Sequence, residues 1–438
     1  MNKILLLLAI TASFAAFAQD SNAIINVKEV QRIESTLASN EMGGRRVGTP
    51  VIDKAANFIS DEFRKAGLQP LKGNNFLQEF IMLRPRLESV KAEIDGQEIN
   101  SKNIVANTFE KELKIDEKSG YDVQYINAGQ SLRIRAQEIF NAKKNAIVFV
   151  DTSFSRNFPR LSSLNGNAFK SDVMVKSPTI IYILGAYQPK EFKIKAQNTI
   201  EETKYANVVG ILPCNNFSTG QAGKKDEYVI FSGHYDHLGI ARQPVNGDSI
   251  YNGANDDAAG ITAVIILANY FKKLNNNERT IIFSAFTAEE VGGFGSQYFS
   301  KQLDPQQVVA MFNIEMIGTE SKWGNNAAYI TGFEKTNMGE ILQKNLTGTS
   351  FNFYPDPYQA QNLFYRSDNA TLARLGVPAH TISTSKMDSE PNYHKVTDEI
   401  STLNIQNMAE IIRAIALSSR TIISGKDTPT RVKPESLN

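Results

Sequence analysis

The 438-residue chain holds four histidines, so where each one falls is informative. His234 lies in Ser232-Gly233-His234-Tyr235-Asp236-His237, directly after an apolar run at 228–231. Glu289 and Glu290 follow the apolar run 280–286, and Glu315 follows 308–314. Asp256 and Asp257 precede a long apolar segment, and His394 stands downstream in Asn392-Tyr393-His394-Lys395-Val396-Thr397-Asp398. Imidazoles and carboxylates without a thiolate suit Zn²⁺, Mn²⁺ or Co²⁺ rather than Ca²⁺ or an iron–sulfur cluster. Asp236, two residues after His234, is spaced to accept the second imidazole N–H and fix the tautomer. Adjacent residues at a strand end point in different directions. Glu289 and Glu290 can therefore divide the work, one binding metal and the other facing substrate as a general base.

Each of these residues taken singly has a structural explanation. A lone His is usually a satisfied core residue, a Glu pair is usually solvated, and an Asp pair before a helix usually caps it. Their joint position at the ends of apolar runs favours one shared site. His237 and His380 keep the structural explanation, His380 within the apolar Pro378-Ala379-His380-Thr381-Ile382. Asp368 reads equally as the cap of a helix at 369–375 or as support behind the site.

The elements that must carry these residues are legible as alternating strands and helices. Strands are expected at 228–231, 280–286, 308–314, 327–330 and 377–382, with a long helix at 258–274. A closing helix over 402–423 would put Ile405, Met408, Ile411, Ile412 and Ile415 on one face. The alternation predicts an α/β fold, a mostly parallel mixed sheet sandwiched by helices. In such sheets, sites lie outside the carboxyl ends of strands. Ala55, Ala56, Phe58, Ile59 and Phe63 mark a helix over 52–66 that Gly67 stops. Residues 86–200 look different, with short β-like runs at 145–150 and 179–184 between Asn- and Ser-rich loops. They read as an inserted β-rich subdomain dividing the main domain into 19–85 and 201–424. The insertion has no His or Cys and none of the candidate ligands. It is therefore expected to govern access rather than chemistry, with loops such as Asn165-Gly166-Asn167 as a rim. The Pro- and charge-rich segment 425–438 reads as a flexible tail.

The composition, 42% hydrophobic and 21% charged, is that of an ordinary globular chain. With 47 basic against 46 acidic residues, no net field recruits nucleic acid or an anionic membrane. A single Cys, Cys214, excludes a disulfide scaffold and a thiolate zinc site. Lys3, the apolar run 4–10 and Ala16-Phe17-Ala18 read as a signal peptide over 1–18. The run is too short to span about 30 Å of hydrocarbon. A secreted product, periplasmic or extracellular, with no membrane insertion after cleavage is the expectation.

Gly44-Arg45-Arg46-Val47-Gly48-Thr49-Pro50, Asn207-Val208-Val209-Gly210 and nearly all of 227–400 together resemble the co-catalytic di-zinc aminopeptidase family. Its relatives include glutaminyl cyclase and glutamate carboxypeptidase II. The resemblance implies a zinc exopeptidase-like sheet, two Zn²⁺ ions, and hydrolysis of the N-terminal bond of peptide substrates. It implies that His234 and Glu315 bind one zinc, that Glu290 and His394 bind the other, and that Asp256 bridges them. Asp236 would orient His234, and Glu289 would be the general base. Tyr393 would stabilise the tetrahedral intermediate, as in the carboxypeptidase branch. The Asp256–Asp257 peptide would be cis, and 86–200 would stand in place of a protease-associated insertion. Two positions depart from the family pattern: Glu315 is often Asp, and Asn369 stands where many members have His. Glutaminyl cyclase-like or carboxypeptidase-like activity on the same scaffold is the alternative; the presence of both His234 and Glu315 argues against the one-zinc cyclase.

Overall fold

The computed structural model describes residues 23–162, 170–171, 177–215 and 224–433. The expected signal peptide and the Asn165-Gly166-Asn167 loop lie outside the described residues. The chain divides into two compact units, Phe80–Lys204 and the segments that flank it.

The flanking segments build the sheet that carries the candidate residues. Its helices include Val27–Leu37 (α1) and Pro50–Lys65 (α2). The end of a long strand, Phe192–Leu212 (β1), opens the sheet. Then come Tyr228–His234 (β2), a hairpin of Gly239–Val245 (β3) and Asp248–Tyr251 (β4), and Ala259–Leu274 (α3). Thr280–Phe286 (β5), Phe294–Ser300 (α4), Val308–Ile314 (β6), Ala327–Ile330 (β7) and Asn352–Pro355 (β8) follow. Asn369–Ala373 (α5), Ala379–Ser383 (β9) and Ile405–Ser418 (α6) complete this part. The strands lie in the order β8-β7-β9-β6-β2-β5-β1. The four central strands, β9, β6, β2 and β5, run parallel. β1 and β7 run antiparallel to their neighbours β5 and β9. The result is a mixed α/β sheet with a parallel centre.

The apolar runs follow from burial on both faces. Val229 and Phe231 of β2 face one core with Ile281, Phe283, Ala310 and Phe312, and α1, α2, α3 and α6 cover it. Ile230, Ile282, Phe286 and Met311 face the other core, under Phe299 of α4 and Leu372 of α5. The helix α3 is buried over most of its circumference, which its nearly continuous apolar sequence requires. Gly260 sets how close α3 comes to β6. A Cβ there would lie 2.1 Å from the Ile314 carbonyl oxygen and 2.4 Å from Asp257 Oδ2.

Two expectations about the C-terminal region change. The closing helix starts at Ile405, capped by Asn404, and breaks at Ser419 before a short turn, Arg420–Ile423. The segment 425–433 is docked rather than free. Val432 is 2% exposed, and the Arg431 guanidinium donates to the Val308 and Pro305 carbonyls. Fully buried Arg279 donates to the Asp427 carbonyl and to Thr428 Oγ1. Apolar and backbone anchoring here outweighs the polar composition.

The unit Phe80–Lys204 begins six residues before and ends four after the 86–200 expectation. It contains a four-stranded sheet in the order Ile104–Asn107, Ile180–Leu184, Ala146–Val150, Asp122–Ile126. A helix, Leu132–Asn141, joins the parallel strands Asp122–Ile126 and Ala146–Val150. Among the described residues, no helix is long and apolar enough to cross a membrane.

Candidate metal centre

All eight residues singled out in the sequence belong to the unit with the parallel sheet. His234 ends β2, Glu289 and Glu290 follow β5, and Glu315 follows β6, so three neighbouring parallel strands deliver their carboxyl ends to one place. Asp256 arrives from the turn before α3, across a cis Asp256–Asp257 peptide. Asp257 ties these ends together. Its buried carboxylate accepts from the backbone N–H groups of His234 (3.2 Å), Gly260 (3.0 Å) and Met316 (3.1 Å).

Two ligand groups share Asp256. Ligand atoms of His234, Asp256 and Glu315 lie within 4.8 Å of one another, as do those of His237, Asp256 and Glu290. His234 Nε2 lies 3.2 Å from Asp256 Oδ1. His394 Nε2 lies 3.2 Å from Asp256 Oδ2 and 3.1 Å from Glu290 Oε2. Both ring nitrogens are buried and lack a partner in hydrogen-bond geometry. Bare imidazole nitrogens converging with carboxylate oxygens are the donor set of a dication site, and the residues present fit such a group.

The electrostatics say the same. Burial, and then the neighbouring carboxylates, push Glu289 well above the usual carboxylate range. The same causes bring Glu315 to about 7. Burial opposes a charged His234, yet Asp256, Glu289 and Asp257 outweigh it and raise that imidazole. Asp256 and Glu290 raise His394 to about 10. Carboxylates packed this closely hold protons or draw cations.

The loop carrying Asp256 is fastened from behind. Asp398 accepts from the N–H groups of Asn255 (2.8 Å) and Asp256 (3.0 Å). Arg45, fully buried, donates to the carbonyls of Leu37 (2.8 Å), Tyr235 (2.8 Å), Asn252 and Gly253 (2.8 Å). Neither residue announced this role in the sequence. In the sequence Arg45 is simply one residue of the Gly44–Pro50 segment, and only the path of 37–45 against the 252–256 turn buries it.

Two sequence expectations need correction, and one open alternative is decided. The Asp236 carboxylate does not hold the His234 ring, which meets the Asp236 backbone carbonyl at 3.1 Å; the carboxylate is 3.8 Å from Nδ1. Its oxygens accept from the N–H groups of Glu289 (3.0 Å) and Glu290 (3.3 Å), because the chain bends after β2 and turns that side chain towards the next strand end. His237 is not a remote core residue, since its Nδ1 lies 2.7 Å from Glu290 Oε1. The signal for it was its place one residue after Asp236 and ahead of Gly239, still inside the strand-end loop. Asp368 makes no cap hydrogen bond at α5. It is buried and its charge raises Glu289 and Glu315.

Other expectations meet ordinary structure. His380 is held in the core between the Thr331 carbonyl and Thr336 Oγ1, both at 2.8 Å. Asn369 is buried, donating to the Phe364 and Ala379 carbonyls and accepting from Thr381 Oγ1. Tyr393 stacks on His394 with ring centroids 4.0 Å apart. It lines a cleft together with Asp256, Glu289, Glu315, Arg366 and Leu363.

Residues 207–418 match the family described as Peptidase family M28. A probable zinc metalloprotease of Pyrenophora tritici-repentis is 35% identical over 95 residues, 21% of this chain and 21% of its own length. The chain thus spans about a fifth of that relative. Leucine aminopeptidase 1 of Coccidioides posadasii is 21% identical over 277 residues, 59% of this chain and 67% of its own. Among solved structures, an aminopeptidase from Aneurinibacillus sp. strain AM-1 superimposes with a TM-score of 0.54 at 16% identity, covering 94% of this chain and 97% of that one. At that identity the likeness is one of fold.

Proposed function

We propose that this chain, whose residues 207–418 match Peptidase family M28, is a secreted, metal-dependent aminopeptidase acting on the N-terminal bond of peptides. The observation that carries the reading is Asp256, whose two carboxylate oxygens face two separate groups of imidazole and carboxylate donors. His234 and Glu315 would hold one Zn²⁺, Glu290 and His394 the other, and Asp256 both. When bound, the ions supply Lewis acidity and bring the pKa of a water from about 15.7 towards 7.

The remaining work falls to the chain's own side chains. Glu289 lines the cleft beside Asp256 and Glu315, and its backbone N–H is pinned by Asp236. From there its carboxylate takes the proton as water adds to the scissile carbonyl and returns it to the leaving amine nitrogen. Burial and the charges of Asp256 and Glu315 raise the Tyr393 hydroxyl above its ordinary value. It therefore stays protonated and can donate to the oxygen on which negative charge develops. Ser367 donates to Glu315 Oε2 and Asn313 Nδ2 donates to Ser367 Oγ at 2.7 Å, a chain that orients Glu315.

The test is release of free amino acid from a panel of aminoacyl reporters and from matched acetyl-blocked peptides, with and without chelator. Chelator-sensitive cleavage of free N-termini alone is the expected result. Cleavage of blocked peptides, or cyclisation of N-terminal glutamine, would replace the aminopeptidase reading.

A further inference from the structure

His237, one of the four imidazoles of the chain, has no part in the mechanism above. It is 1% exposed. Its Nδ1 lies 2.7 Å from Glu290 Oε1, closer than His394 Nε2 comes to either of its carboxylate neighbours, and 3.9 Å from Asp256 Oδ2. The ring is therefore attached to Glu290 rather than shared between the two carboxylates. The other nitrogen, Nε2, is buried without a hydrogen-bond partner. A ring using Nδ1 as a metal ligand would carry its proton on Nε2, where nothing accepts it. A ring carrying the proton on Nδ1 donates to a carboxylate and leaves only a bare lone pair.

The ring is also fixed in place. The His237 N–H donates to the Arg45 carbonyl at 3.2 Å. Gly253, at φ +57°, presses on the imidazole so closely that a Cβ would lie 2.5 Å from Cδ2 and 2.6 Å from Cγ. The turn that carries Asp256 thus clamps the group that holds Glu290.

We propose that His237 is a positioning residue for the second metal position: its Nδ1–H holds Glu290 Oε1, so that Oε2 is presented beside Asp256 Oδ2 and His394 Nε2. This rests on the two-ion reading above. Hydrogen bonds to a metal's ligands commonly contribute a factor of about 10–100 in affinity.

The full chain, stripped with chelator, is titrated with zinc alone, and metal content is read by elemental analysis. In His237→Phe the tighter equivalent should be kept and the second weakened about 10–100-fold. His237→Asn should recover most of the loss, because the Asn amide N–H reaches from the place of Nδ1. His237→Gln, whose amide matches Nε2, should not. Wild-type affinity in His237→Phe, an Asn variant as weak as Phe, or rescue by Gln instead of Asn would each overturn the proposal. With four histidines in the chain, ring ¹⁵N spectra of the wild-type protein are an independent measure that needs no variant to fold. A neutral Nδ1–H ring at His237 supports the proposal, and an Nε2–H ring or an imidazolium overturns it. A wild-type chain taking one equivalent would overturn the two-ion reading, and the ring spectrum then judges the His237–Glu290 contact by itself.

Discussion

Replacing Arg45 by Met should destabilise the fold and loosen the metal centre together. The Met side chain keeps much of the stem's bulk and removes every donor. Carbonyls of Leu37, Tyr235, Asn252 and Gly253 accept from the guanidinium. Gly253 keeps a second donor, the Ala258 N–H at 3.2 Å. Beyond a long 3.5 Å contact to the Asp256 carbonyl, the three close acceptors left without a donor are the Leu37, Tyr235 and Asn252 carbonyls, and a buried group left unsatisfied costs about 1–3 kcal/mol. The sum is roughly 3–9 kcal/mol. Against it stands the removal of a buried charge: burial lowers the Arg45 pKa, and Glu34, Asp398 and Asp256 only partly compensate. We take the lower end of that sum, about 3 kcal/mol, as the net. Since a domain's whole stability is about 5–15 kcal/mol, the loss is large and measurable. The assay is urea unfolding of the chelated protein, followed by zinc titration. Arg45→Lys keeps the charge but not the planar fork, and should fall between the two. An Arg45→Met protein within about 1 kcal/mol of wild type, below the cost of one orphaned carbonyl, would refute the reasoning.

Glu289→Gln should retain its metal and lose rate by about 10²–10⁴; a variant with full metal and full activity would remove Glu289 from proton transfer. Glu290→Gln should instead lose zinc at the second position, read by elemental analysis of the dialysed protein. Chelation should lower the melting temperature, because ions that bind the folded chain at 100 times their dissociation constant add about 2.7 kcal/mol; an unchanged transition would count against a site built from these residues. Glu34 is fully buried, and burial raises it from 4.5 to about 8 despite a hydrogen bond from Thr262. Between those values the folded chain binds more protons than the unfolded one, so stability falls as pH rises from about 4.5 to 8. Glu34→Gln should flatten that slope by up to about 1.4 kcal/mol per pH unit in chelated protein, and an unaltered slope would show that Glu34 does not titrate there.

The sheet was legible because parallel strands buried on both faces read as nearly continuous apolar runs. Val229 and Phe231 look one way and Ile230 the other, and no polar residue interrupts them. The metal-binding candidates were legible for the same reason. Each stands where such a run ends and polar chemistry begins. The residues that position them were not, since their roles depend on where a loop returns. Asp236 illustrates this at the smallest scale: two-residue spacing predicts a shared side only while the chain stays extended, and the bend after His234 sends the carboxylate to the amides of Glu289 and Glu290. Val432 shows the converse, an apolar residue in a polar stretch whose 2% exposure only the fold reveals.

The loop residues also explain how a centre so rich in carboxylates can be held rigid. Arg45 directs its donors at backbone carbonyls, not at the carboxylates of the cluster. Asp398 and Asp257 direct their oxygens at backbone N–H groups of the same turn and strand ends. Backbone groups thus meet the charges that fix the loop, and the oxygens of Asp256, together with Glu290 Oε2, are left facing bare imidazole nitrogens. Charge balance within the cluster then falls to protons or to metal ions. Because ligand positions are set by contacts made outside the cluster, acid that protonates the ligands should release metal before the surrounding loop comes apart.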